Sequence, residues 1–198
     1  MKLIKIIIIQ IILIVSFQSL IKADDIRDFQ IEGMSIGDSL LDHLTEDEII
    51  NSKRNYFEDQ RKYYVVAKFK NLKKYEVVDI YLKSGDKKYI IRTLGGLMTS
   101  NLNKCLETKK KIKKEFDEIF SNLKSAEHIK KHEFDKSGKS KQYQQVYYFG
   151  DASKRDNHIR IECDNWSKKI KKEKGFEDGL NIVAMTTEIL DWIYSGYK

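Results

Sequence analysis

The apolar residues of this chain come first as a block and then as periodic faces. Positions 6–9 and 11–15 are aliphatic, interrupted only by Gln10, with Lys2 and Lys5 ahead of them and Ile21-Lys22-Ala23 behind. A basic start, an apolar middle and a small residue after an aliphatic at −3 describe a secretory signal peptide cleaved after Ala23. The apolar core is shorter than the about 20 residues that a membrane span requires. An anchor kept as an uncleaved N-terminal helix is therefore the alternative. The expected product is one domain over residues 24–198, periplasmic or secreted.

Past the leader, three stretches alternate with the period of a strand. In 63–70, Tyr63, Val65, Ala67 and Phe69 share one face and Lys68 and Lys70 the other. In 76–83, Val78, Ile80 and Leu82 oppose Asp79, Tyr81 and Lys83, and Ser84-Gly85-Asp86 turns the chain into a partner over 88–94. In 157–164, Ile159, Ile161 and Cys163 oppose His158, Arg160 and Glu162. Weaker strands are expected over 24–32, 127–135, 143–149 and 180–185. The 127–135 run is the weakest, because Ile129 and Phe134 fall on opposite faces.

Helical spacing dominates 101–123, where Leu102, Cys105, Leu106, Ile112, Phe116, Ile119, Phe120 and Leu123 recur at three and four. Asn101 or Asn103 can cap its start. Thr45 with Glu48 three residues on is a capping box for a helical turn before Asn51. Short helices are expected from Asn165 or Trp166 to Gly175, a good left-handed cap, and over 187–194. Strands joined by hairpin-length turns and separated by helices predict an α+β fold. Two meanders form an antiparallel sheet, and the long amphipathic helix packs on one face. Whether the second face is a groove, an apolar patch or a solvated surface stays open.

Composition narrows the partners. The precursor carries +7, from 37 basic and 30 acidic residues, and loss of Lys2, Lys5 and Lys22 with the leader leaves +4. Thirty-one of the basic residues are lysine, whereas phosphate and base readout favours the forked arginine. Nucleic acid is not an expected partner, and no cofactor is expected. An envelope protein or an anionic envelope surface is the candidate class, the lysines at 109–114 and 168–174 forming charged helix faces.

The stretch "GMSIGDSL" at 33–40 holds two hydrolase patterns at once. Gly33-Met34-Ser35-Ile36-Gly37 fits the nucleophile-elbow pattern, but only 24–32 of the mature chain precede it, too little for the parallel strands such an elbow follows. Gly37-Asp38-Ser39-Leu40 is the tetrapeptide of the GDSL esterases, which makes Ser39 a candidate catalytic serine. That family's later blocks resemble an Asn-Asp oxyanion segment and an aspartate three residues before a histidine. Here Gly95-Gly96 leads into Leu97 and Met98, and the positions three before His43, His128, His132 and His158 are Leu40, Ser125, Ile129 and Arg155. A serine without a general base is a poor nucleophile. The preferred reading is a strand-to-helix turn, loosened by Gly33 and Gly37, capped by Asp38 or Ser39, and burying Leu40, Leu41 and Leu44.

"IEGMSIGDSLLDHL", "YVVAKF", "NLNKCLETKK", "FDKSGKS" and "IRIECDNWS" together resemble an uncharacterised family of small exported proteins from AT-rich marine bacteria. The resemblance spans most of the mature chain and implies no activity.

Two cysteines in an exported chain predict one disulfide. Cys105 lies on the apolar stripe of the long helix and Cys163 on the apolar face of a strand, so a helix covering that face brings the sulfurs together. His128 and His132 have the spacing of a helical metal pair, but in a strand they stand about 13 Å apart, and surface histidines are expected. Gly138-Lys139-Ser140 copies the end of a phosphate loop, but the loop's first glycine would fall on Glu133. The expected function is a non-enzymatic binding or interaction domain; the alternative is a GDSL-like esterase using Ser39.

Overall fold

The computed structural model describes residues 24–54, 61–68, 70–132, 135–152, 154 and 156–196. Residues 1–23, where the sequence predicts a leader cleaved after Ala23, lie outside them, as do Phe69 and Phe134. The chain enters through a turn at Ile26–Asp28 and a two-residue hairpin, β1 (Gln30–Ile31) and β2 (Met34–Ser35). Glu32 and Gly33 reverse it with φ of 53° and 81°. A turn of 3-10 helix at Leu40–Asp42 precedes α1 (Glu46–Asn51), whose capping box is made as Thr45 and Glu48 predict.

The first meander is β3 (Lys53–Arg54), β4 (Tyr63–Lys68), β5 (Val77–Lys83) and β6 (Ile91–Thr99). Helix α2 (Leu102–Ile119) follows, its first turn capped by the Asn101 side chain on the Lys104 amide at 3.0 Å. The second meander is β7 (Lys124–Lys131), β8 (Lys141–Tyr148) and β9 (His158–Asn165). Helix α3 (Lys168–Lys174) ends at Gly175 with φ 69°, the left-handed cap expected there. Strand β10 (Gly179–Met185) and helix α4 (Thr187–Tyr194) close the chain.

Every neighbouring pair in the eight-stranded sheet, ordered β3-β4-β5-β6-β10-β9-β8-β7, is antiparallel. Strand β10 joins the two meanders by inserting between β6 and β9. Its neighbour β6 carries Gly95-Gly96, and Gly96 is required by packing. A Cβ there would lie 2.4 Å from the Tyr75 ring. The two sheet edges are blunted in different ways, β3 by its length and β7 by Lys124, Lys130 and Lys131.

The two faces are covered unequally. On one, α2 and the N-terminal segment bury Ile159, Ile161, Cys163, Leu180 and Ile182 beside Val66, Ile80, Leu82 and Leu94. An aromatic seam ties the helix down: Phe116 meets Phe29, Phe120 and Tyr147 with ring centroids 5.7, 5.3 and 5.7 Å apart. Cys105 on α2 is bonded to Cys163 on β9, with Cα atoms 5.8 Å apart. On the other face α4 sets Ile189, Leu190 and Trp192 against Tyr63 and Met185.

Several elements differ from the sequence expectation. Leu40–Asp42 makes a 3-10 turn, and Leu41 is left 43% exposed because three residues of that geometry present only Leu40 to the core. Strand β6 starts later than expected. The Asp86 carboxylate accepts from the Lys88 and Ile90 amides, and Tyr89 takes a positive φ, so the hairpin loop is longer. Strand β7 begins and ends earlier than 127–135. As an edge strand it takes its register from β8, and Ile129 is 70% exposed.

Loss of the disulfide should act mainly on the unfolded chain. Replacing Cys105 and Cys163 with alanine opens a loop spanning 58 residues. The expected loss is about 4 kcal/mol by chain entropy, read as a lower urea midpoint. Gly96→Ala should cost roughly 1–3 kcal/mol by overpacking against Tyr75, and Gly96→Ala with Tyr75→Ala should recover part of it.

Candidate functional site: the polar face of the sheet

The pleat of β9 sends His158, Arg160, Glu162 and Asp164 away from α2. Register brings Gln142 and Gln144 of β8 opposite Asp164 and Glu162, and Asn181 of β10 opposite Glu162. These side chains complete a hydrogen-bonded network. Arg160 is ion-paired with Glu162, Nη2 donating to Oε1 at 3.2 Å, while Nε lies 2.9 Å from Oε2 without hydrogen-bond geometry. Gln144 Nε2 donates to Glu162 at 2.9 Å, Gln142 Nε2 to Asp164 at 3.0 Å, and Asn181 Nδ2 to Asp164 at 2.6 Å. Glu162 and Asp164 are only 4% and 6% exposed. Carboxylates so buried require partners, and the amides of both flanking strands supply them.

Electrostatics follow the burial. Burial and then the negative charge of Glu162 push the Asp164 carboxyl up to about 7, against the Gln142 and Asn181 hydrogen bonds and Arg160. Burial and then Arg160 bring His158 down to about 4, with Lys130 adding in the same sense. Burial opposes the charge of Arg160, yet Glu162 holds its pKa above the usual value.

At the Asp164 end the network is capped by aromatic rings. His132 stacks on Trp166 with centroids 3.8 Å apart, and Trp166 meets Phe176 at 4.7 Å. His132 Nε2 lies 3.9 Å from Asp164 Oδ1. At the Arg160 end the face opens into a cleft of about 220 Å³ beside α4, where His128, Lys130, Tyr148, Lys154, His158 and Arg160 converge. A larger hollow of about 400 Å³ lies by the β5–β6 turn. Most of its polar groups are already engaged: Tyr89 donates to Glu46 at 2.6 Å, Asp86 holds the turn amides, and Lys53 sits 4.3 Å from the Tyr64 ring centroid. The smaller cleft is the stronger candidate.

The serines flagged by sequence lie elsewhere. Ser39 Oγ donates to the Lys88 carbonyl at 2.8 Å and accepts from the Leu41 amide at 3.3 Å, which makes it the cap of the 3-10 turn. Ser35 is buried in β2, and its amide donates to Asp38 at 2.7 Å. Neither hydroxyl is hydrogen-bonded to an imidazole among the described residues. In Gly138-Lys139-Ser140, the Ser140 hydroxyl donates to Asp135 at 2.7 Å and accepts from the Ser167 amide at 2.9 Å. That tether fixes the β7–β8 loop to the start of α3. Four hydrogen bonds from Ser137 and Ser140 hold the Asp135 carboxyl well below the usual range. His128 and His132 share the polar face but keep different company, His128 Nε2 lying 3.4 Å from the Tyr148 hydroxyl. No group of three or more His, Cys, Asp or Glu side chains is placed to hold a metal among the described residues. No helix of the described residues is long and apolar enough to cross a membrane.

Sequence reasoning found the polar side of β9 but not its burial or its amide partners. The available signal was Gln142, Gln144 and Asn181, uncharged amides at alternate strand positions where a solvated face more often carries lysine or glutamate. A scan against protein-family models matches none, and searches of curated proteins and of solved structures return no match.

Opposed titrations follow from the network. In an unfolded chain an aspartate titrates near ~3.9 and a histidine near ~6.5. Asp164, raised to about 7, keeps a proton in the fold that the unfolded chain has lost, so its contribution is full below pH ~4 and fades as pH rises through 7. His158, lowered to about 4, does the reverse: its contribution is full above pH ~6.5 and is lost as pH falls through 4. Asp164→Asn should unmask the histidine slope, stability rising by up to about 3 kcal/mol between pH 4 and 6.5. His158→Gln should unmask the carboxyl slope, stability falling by up to about 4 kcal/mol from pH 4 to 7. Urea midpoints across pH measure both.

Proposed function

We propose that the protein is an exported binding domain that works without covalent catalysis and meets its ligand on the part of the sheet that α4 leaves open. The carrying observation is the cleft beside α4, where side chains of β7, β8 and β9 converge with Leu190 and Tyr194 of that helix. Export is supported by the leader pattern at 1–23 and by the Cys105–Cys163 bond, because disulfides persist in oxidising compartments. The likeness of the opening motif to small exported proteins of AT-rich marine bacteria favours the same reading. A periplasmic or secreted location follows from it. The commitment of Ser39 to a cap favours binding over an esterase reaction at that residue.

Cell fractionation with mass spectrometry tests this. The expected species is recovered outside the cytoplasm, begins at Asp24, retains the Cys105–Cys163 bond and stays unlabelled by a fluorophosphonate probe. A cytosolic chain with its leader intact, or a phosphonate adduct on Ser39, would overturn the reading.

A further inference from the structure

We propose that the cleft beside α4 binds a small organic oxyanion with an apolar body, and that Lys130 and Lys154 read its charge. The inference rests on the binding-domain reading above and names the chemistry of its site.

The lining is one-sided in charge. Lys130, Lys154 and Arg160 border the cleft, and none of its lining residues is acidic. The cations are not equally available. Arg160 is ion-paired with Glu162, and Lys154 has Asp151 at 3.9 Å. Lys130 has no ion-pair partner among the described residues. With Arg160 balanced by Glu162 and Lys154 facing Asp151, Lys130 leaves an excess of positive charge at the opening, which favours an anion. The field is felt at His158, where Arg160 and Lys130 both disfavour the imidazolium.

Apart from Gln144, which donates to Glu162, the rest of the wall is apolar or aromatic. Val146 and Leu190 are buried at its base, with Tyr148 and Tyr194 beside them. A fully hydrated inorganic ion would leave those groups unused. A ligand with a ring or short alkyl body would cover them and displace roughly seven waters from the 220 Å³. His158 adds a polar contact. Its Nδ1 lies 3.2 Å from the Asp156 carbonyl oxygen, which can only accept, so Nδ1 carries the proton and Nε2 is left for the opening. Protonation of Nε2 would turn it into a charged donor toward a bound anion.

The test is an NMR titration of the disulfide-bonded protein at low salt, with phenyl phosphate as probe and benzyl alcohol as its neutral counterpart. Phenyl phosphate is expected to shift the His128 and His158 ring signals saturably, and added salt should weaken it. The bound anion should raise the His158 pKa by about one unit through its charge. Lys130→Gln with Lys154→Gln, both at exposed positions, should weaken phenyl phosphate about tenfold and leave the benzyl alcohol spectrum unchanged. Equal binding of both probes, unaffected by the double substitution, would overturn the inference while leaving a binding cleft in place. Absence of saturable shifts at the cleft with either probe would also overturn it, and the export and Ser39 measurements would stand apart from that result.

Discussion

The pleat of β9 is the constraint on which both faces of the molecule depend. Strands β8 and β10 pair with it along its length, so its backbone groups are occupied and its side chains have two directions. One direction takes Ile159, Ile161 and Cys163 under α2, and the other takes His158, Arg160, Glu162 and Asp164 into the polar network. A slip of one residue would exchange the sets and drive two carboxylates and a guanidinium into the apolar core. The Cys105–Cys163 bond opposes that slip covalently, because Cys105 belongs to the helix that covers the correct face.

Unequal covering of the sheet then decides where a ligand could be met. Helix α2 is 18 residues long and α4 only eight. The longer helix closes its face with aliphatic and aromatic packing. The shorter one seals the middle through Trp192, whose ring lies 5.1 Å from that of Tyr63, and places Leu190 and Tyr194 at the edge of the cleft over β7, β8 and β9. Beyond that limit the sheet is closed by its own side chains. Glu162 and Asp164 are tolerated there because arginine and three amides satisfy them; removing one partner would strand a buried charge. The cleft begins where this mutual satisfaction ends, with Lys130 at its rim.

Much of the molecule was legible before any fold was seen, and the legible parts share a cause. The apolar stripe of α2, the Thr45–Glu48 box, the Asn101 cap and the Gly175 stop depend on residues within a turn or two of each other. The disulfide was legible because two periodicities, one helical and one of a strand, pointed both cysteines at the same core. Edge strand β7 was misplaced for the opposite reason. Ile129 and Phe134 fall on opposite faces and give no usable period, but an edge strand need bury little, and its bounds are set by pairing with β8. The β6 boundary slipped because the Asp86 carboxylate and a positive φ at Tyr89 lengthened a turn that looked short.

Local periodicity and capping chemistry thus determined the α+β class, the antiparallel meanders and the helix that covers one face, since each follows from which side chains avoid water within a short span. Only the tertiary structure decided that β10 enters between β6 and β9, that Ser39 closes a turn against Lys88, and that the polar side of β9 is buried rather than solvated. Those outcomes depend on neighbours as far as 92 residues away, Met185 pairing with Thr93, and a carboxylate in the sequence looks the same whether water or an amide from the next strand will satisfy it.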